Sequence, residues 1–160
     1  MRDNKSYYDT FSETYDAPRD HGYHRYLDEA EVAVAQPWVT GKEVLEVGCG
    51  TGLILERLSR VAERAVGVDL SPGMLEHARA RGLDVHEGSA TALPFEDECF
   101  DAAVSFKVLA HVEEISVAMG EMGRVVRPGG RVIAEFYNRT SVRALVKSIV
   151  SPGSIGKDGS

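Results

Sequence analysis

Glu46, Gly48, Gly50, Gly52 and Asp69 are the residues whose types and spacing most directly describe a binding chemistry. In Val44-Leu45-Glu46-Val47-Gly48-Cys49-Gly50-Thr51-Gly52, an apolar run holding an acid meets three glycines at alternate positions. Glycine lets backbone approach a ligand closely and takes the positive φ that tight turns need. Asp69 closes the next apolar run, Ala65-Val66-Gly67-Val68-Asp69. It follows Gly48 by about the interval, some twenty residues, at which an acid binds ribose in dinucleotide folds. Its two oxygens suit the two ribose hydroxyls. A surface acid at a strand end is the plainer reading, and the preceding glycine turn favours the ribose.

The spacing narrows the ligand. A dinucleotide fingerprint needs Gly-x-Gly-x-x-Gly, whereas here Leu53 takes the sixth position and the third glycine comes one residue early. No Lys-Ser/Thr pair follows, which excludes a loop that cradles a triphosphate. Glu-x-Gly-x-Gly-x-Gly resembles the first motif of class I S-adenosylmethionine-dependent methyltransferases, whose ligand carries no phosphate. Another nucleotide site or a purely structural turn is the alternative.

These residues need strands and helices to hold them. Glu43 to Val47 reads as a buried strand, followed at once by a helix with Leu53, Ile54, Leu55, Leu58, Val61 and Ala62 on its apolar side. Ala65 to Asp69 is a second strand. Ser71-Pro72 then supplies an N-cap and a first-turn proline, with Met74, Leu75 and Ala78 facing inward and Gly82 as the stop. Asp84 to Glu87 is a short third strand and Phe100 to Phe106 a fourth. Ile115, Ala118, Met119, Met122 and Val126 mark a helix that Arg127-Pro128-Gly129-Gly130 ends, before a fifth strand from Arg131 to Phe136. Alternation of strand and helix implies an α/β fold, a Rossmann-like parallel sheet with helices on both faces.

Ahead of this core, Tyr8, Phe11 and Tyr15 share one helical face, and Tyr23, Tyr26, Leu27, Ala30 and Val34 continue the spacing after Pro18 and Gly22. Two helices are expected, with Pro37 ending the second. Residues 1–40 are read as a helical lid, 41–150 as the core and 151–160 as a flexible tail. The tyrosines pack amphipathically, or else Tyr7, Tyr8 and Tyr15 reach the ligand from the lid.

Composition fits these elements. At 160 residues one domain buries roughly two thirds of its unfolded surface. A net charge of −7 and a pI of about 5.2 argue against nucleic acid as the main partner, because phosphate binding relies on clustered Lys and Arg. The two cysteines, Cys49 and Cys99, read as reduced thiols of a cytoplasmic protein. No metal-ligand spacing, signal peptide or membrane-spanning run is present.

Four segments match the methyltransferase family in order: Val44 to Gly52, Val66 to Leu75, Gly88-Ser89-Ala90 through Leu93-Pro94-Phe95 to Ser105, and Arg124 to Val132. The wording is most similar to the small-molecule branch that includes ubiquinone and menaquinone biosynthesis methyltransferases. The resemblance implies S-adenosylmethionine as cofactor, S-adenosylhomocysteine as product, and a small-molecule methyl acceptor. It implies that Glu46, Gly48, Gly50 and Gly52 line the methionine end, with Cys49 and Thr51 contributing backbone. Asp69 then holds the ribose, Leu70 and Met74 sandwich the adenine, Ser89 and Ala90 meet its edge, and Phe106 lies beneath the cofactor. Many relatives carry an acid where Ser89 stands.

A second departure concerns the C-terminus. The family's sheet has seven strands, whereas here Ser141 to Val150 reads as a helix and then the tail, so the last two strands are expected to be absent. Strand five is then a bare apolar edge (Val132, Ile133, Phe136), which invites a homodimer. Methyl transfer from a sulfonium is an in-line displacement, so alignment and water exclusion are the main tasks. A base is needed only for acceptors such as a hydroxyl. His111, His21, His24 and a lid tyrosine are candidates, and none is singled out as catalytic. Ser105-Phe106-Lys107-Val108 lacks the tetrapeptide with which DNA amino-methyltransferases receive a flipped base. A cofactor-binding protein without turnover, or a dinucleotide-binding oxidoreductase fragment, are the alternatives.

Overall fold

The computed structural model describes residues 22–136. The expected helix around Tyr8 to Tyr15, the one over Ser141 to Val150, and the tail lie outside them. Five strands form one sheet: β1 (Glu43–Val47), β2 (Arg64–Asp69), β3 (Asp84–Glu87), β4 (Phe100–Ser105) and β5 (Val126–Ala134). Their order is β3-β2-β1-β4-β5, and each neighbouring pair is parallel. The central strands are apolar almost throughout because both faces are covered.

Four α-helices are described: α1 (Tyr23–Val39), α2 (Leu53–Leu58), α3 (Pro72–Ala80) and α4 (Ile115–Val125). Strand alternation divides the core between two faces. Leu45, Val47, Val66, Val68 and Ala103 pack with Met122 and Val125 of α4. Val44, Ala102 and Val104 pack on the opposite face with Ala35 and Val39 of α1 and Ile54 and Leu58 of α2. A third cluster joins Leu55 of α2 to Leu75 and Ala78 of α3.

The sequence expectations are corrected in several places. Pro37 lies inside α1 rather than ending it. The proline removes one hydrogen bond to the carbonyl four residues back, and the helix runs only two residues further, to Val39, where Thr40 turns extended and both its N–H and its hydroxyl donate to the carbonyl of Gln36. The inward face of α1 also differs: Tyr26 and Val34 are exposed, while Asp28, Ala35 and Val39 are buried. Helix α2 ends at Leu58, before Val61 and Ala62. Arg127–Gly130 interrupts β5 from within, because pairing with β4 jumps from Phe100↔Val126 to Ala102↔Arg131. β4 ends one residue early, at Ser105, and among the described residues β5 closes one end of the sheet with Phe136 exposed.

Candidate functional site

At the carboxyl ends of β1, β2 and β4 lies a crevice of about 200 Å³. Glu46, Gly48, Cys49, Gly50, Thr51, Asp69, Leu70, Met74, Ser89, Ala90 and Phe106 all line it. Gly52 does not. A Cβ there meets Leu83 at 2.4 Å and Ala78 at 3.2 Å, so this glycine lets the loop pack against α3. Gly48 lines the crevice, yet its Cβ comes 2.2 Å from Cγ2 of Val108; the loop after β4 occupies the space a side chain needs. Only at Gly50, of these three, does a Cβ meet nothing within 4 Å.

The loop is anchored from β2. The carbonyl of Val68 accepts the N–H groups of Gly48 and Cys49. Asp69 holds the turn through its carboxylate: Oδ2 accepts Gly50 N–H and Oδ1 accepts Ser71 N–H, both at 2.9 Å. Ser71 in turn caps α3, its Oγ accepting Met74 N–H at 3.2 Å, which fixes Met74 beside the exposed Leu70 at the crevice rim. Ser89 Oγ accepts Thr91 N–H at 3.2 Å and pairs with Thr91 Oγ1 at 2.8 Å. Its hydroxyl is engaged in a local turn.

Glu46 is the electrostatic centre of the site. It is 2% exposed, and among the described residues no donor reaches its Oε2. Burial raises its carboxyl well above the usual range, the charges of Asp69, Glu31 and Asp28 push the same way, and Lys107 opposes them. Cys49 is buried, and burial followed by the charges of Glu46 and Asp69 raises its thiol far above the ordinary value. It is therefore held neutral and unreactive.

The remaining wall carries residues that sequence reasoning missed. Asp28, Leu53, Ile54, Lys107, Val108 and Val112 line the crevice, with His111 beside them. Lys107 follows β4 with φ 62. Its N–H donates to Glu135 Oε2 at 2.9 Å, and its Nζ lies 2.7 Å from Asp28 Oδ1 and 2.9 Å from Glu31 Oε2. Burial works against this ammonium, but the hydrogen bond to Asp28 and the close ion pair with Glu31 outweigh it and raise its pKa. The signal available was an acid, Asp28, in register with Ala35 and Val39 on the apolar stripe of α1.

Residues 45–134 match the family described as methyltransferase domain. The chain belongs to the class I S-adenosylmethionine-dependent methyltransferases. This methyltransferase chain is 42% identical over 105 residues to the demethylmenaquinone methyltransferase of Renibacterium salmoninarum, covering 64% of this chain and 44% of the relative. It is 34% identical over 116 residues to the ubiquinone biosynthesis O-methyltransferase of Azorhizobium caulinodans, covering 69% and 46%. The crystal structure of a Thermotoga maritima S-adenosylmethionine-dependent methyltransferase superposes with a TM-score of 0.75 at 27% identity, covering 89% of this chain and 66% of that one. The methyltransferase chain spans less than half the length of these curated relatives. Its acidic residues suit the family's cofactor: Asp69 is a carboxylate at a strand end, a group that accepts from sugar hydroxyls, and the Glu46 oxygen that no donor reaches among the described residues suits a cationic ammonium group.

Proposed function

We propose that this chain binds S-adenosylmethionine in the crevice and directs its methyl group in line onto a small-molecule acceptor. One observation carries the reading: a buried carboxylate oxygen without a donor, on Glu46, in the same crevice as the strand-end acid Asp69. A buried acceptor left unpaired is costly, and a cationic ligand relieves that cost. When bound, the cofactor supplies an already activated methyl group. The chain's residues then bind and align. Glu46 and the loop through Gly48, Cys49, Gly50 and Thr51 hold the amino-acid end, Asp69 the ribose, Leu70 and Met74 the base, with Ser89 and Ala90 at its edge.

Phe106, Val108, Val112 and Ile54 form an apolar wall that excludes water beside the methyl group, as an in-line displacement requires. This wall favours a neutral, largely apolar acceptor, in keeping with the quinone-pathway names of the relatives. His111, on the same wall, is the candidate proton acceptor if the acceptor reacts through a hydroxyl. A second reading is cofactor binding without turnover.

Calorimetry with S-adenosylhomocysteine and with NAD tests the binding, and methyl transfer to demethylmenaquinone tests the turnover. Binding of the homocysteine nucleoside and not of NAD is expected. NAD binding in its place sinks the reading. Cofactor binding without product favours the second reading.

A further inference from the structure

Helix α1 is held to the core by two unlike means along its length. Its C-terminal half is apolar cement, with Ala35 and Val39 fully buried against Ile54, Leu58 and Phe106. Its N-terminal half exposes His24, Arg25 and Tyr26 and buries Asp28, a charged residue, at 1% exposure. Asp28 lines the crevice. Its carboxylate meets Lys107, which belongs to the loop after β4 and lines the same wall of the crevice.

A lysine in the left-handed region is uncommon and costs backbone energy unless its surroundings fix it. Here three acids do so: Asp28 and Glu31 on Nζ, and Glu135 on the backbone N–H. Removing the ammonium leaves two carboxylates facing each other across a half-buried gap, which is strongly unfavourable. With the ammonium in place, the first turns of α1 and the Phe106–Val112 wall are one unit.

We propose that Lys107 is a positioning residue that latches the N-terminal half of α1 to the loop after β4 in the wall of the crevice, so that this wall is complete only while Asp28 and Glu31 grip its ammonium. The inference rests on the cofactor-binding reading for its ligand but not for the latch itself. Loss of the latch opens the crevice and speeds ligand escape without unfolding the sheet.

Hydrogen exchange along α1 provides the test, because the helix carries its own control. In the triple variant Lys107→Met, Asp28→Asn, Glu31→Gln, which removes all three charges together, amides of residues 26–31 are expected to exchange about tenfold faster, roughly the effect of losing charge-assisted hydrogen bonds. The amides of Ala35, Gln36, Trp38 and Val39 keep their wild-type rates. S-adenosylhomocysteine slows exchange at 26–31 in the wild type and ceases to do so in the variant. Lys107→Arg, which keeps the cation, retains slow exchange. Equal acceleration of both halves, unchanged exchange at 26–31, or an arginine variant as fast as the triple variant overturns the latch. If the triple variant does not fold, Glu31→Gln alone carries the same comparison, with an expected increase of about threefold from losing one of the two acids. Failure of the wild type to bind the homocysteine nucleoside sinks the cofactor reading, while the ligand-free comparison still decides the latch.

Discussion

Asp69→Ala separates two tasks that one carboxylate performs. In the folded chain its oxygens accept the N–H groups of Gly50 and Ser71, each at 2.9 Å, before any ligand arrives. A hydrogen bond to a charged group is worth about 1.5–3 kcal/mol. Asp69 is half-buried, so the lower figure applies, and losing both bonds costs about 3 kcal/mol. For a chain of this size each kcal/mol moves the unfolding midpoint by about 2–4 °C, which gives a drop of about 6–12 °C without ligand. The ribose hydroxyls lose their acceptors as well, so affinity for S-adenosylhomocysteine falls at least about tenfold, the equivalent of some 1.4 kcal/mol. Asp69→Asn keeps one acceptor and turns an amide N–H₂ toward the other donor, so its ligand-free midpoint lies between wild type and Asp69→Ala. Scanning calorimetry without ligand and titration calorimetry well below the midpoint read the two tasks independently. An unchanged midpoint refutes the anchoring role. An unchanged affinity refutes the ribose assignment even if the midpoint falls.

Glu46→Gln is expected to raise ligand-free stability at neutral pH by about 1 kcal/mol, by removing a buried carboxyl whose ionisation burial and the neighbouring acids oppose, while weakening S-adenosylhomocysteine binding about tenfold. The pH sign follows from the raised carboxyl: the folded state binds the proton more tightly than the unfolded one, so this stabilisation is complete below the ordinary glutamate range and is lost as pH rises through the folded value. Midpoints measured across that rise should decline more steeply for wild type than for Glu46→Gln, and parallel curves count against the assignment. Gly48→Ala meets Val108 at 2.2 Å on a backbone with φ 79, so it should cost about 2–4 kcal/mol from overpacking plus strain. Gly50→Ala, with φ 53 and open space around the Cβ, should cost only about 1 kcal/mol. Denaturant midpoints decide, and equal losses at the two glycines refute the packing account.

What the sequence made legible is the part built from neighbouring residues. β1 and β3 run over the residues that periodicity assigns, and Ser71-Pro72 starts α3 as capping chemistry requires. Glu46, Asp69, Leu70 and Met74 reach the crevice because each sits at a strand end, in the turn after it or in the first turn of the next helix, so its place follows from local pattern alone. Gly52 shows the limit of that reasoning. Its spacing resembles a ligand contact, but its need for no side chain comes from a backbone φ of 85 and from Ala78 and Leu83, in and just past α3. The face of α1 was misjudged for a related reason. Apolar periodicity picks Tyr26 and Val34, whereas the buried stripe contains Asp28, whose cost vanishes only once a cation lies opposite.

That cation is 79 residues away in the chain, and no local window joins Lys107 to Asp28. The two sides of the crevice therefore differ in kind. The nucleoside side is a pair of strand–turn–helix units whose residues are neighbours in sequence, so a short motif identifies its ligand. The opposite wall is assembled from α1, the loop after β4 and Glu135 beyond β5, elements brought together by tertiary contact and charge. In the reading proposed above the acceptor meets that wall, so contacts between distant segments select it, and two chains that share the glycine turn need not share an acceptor.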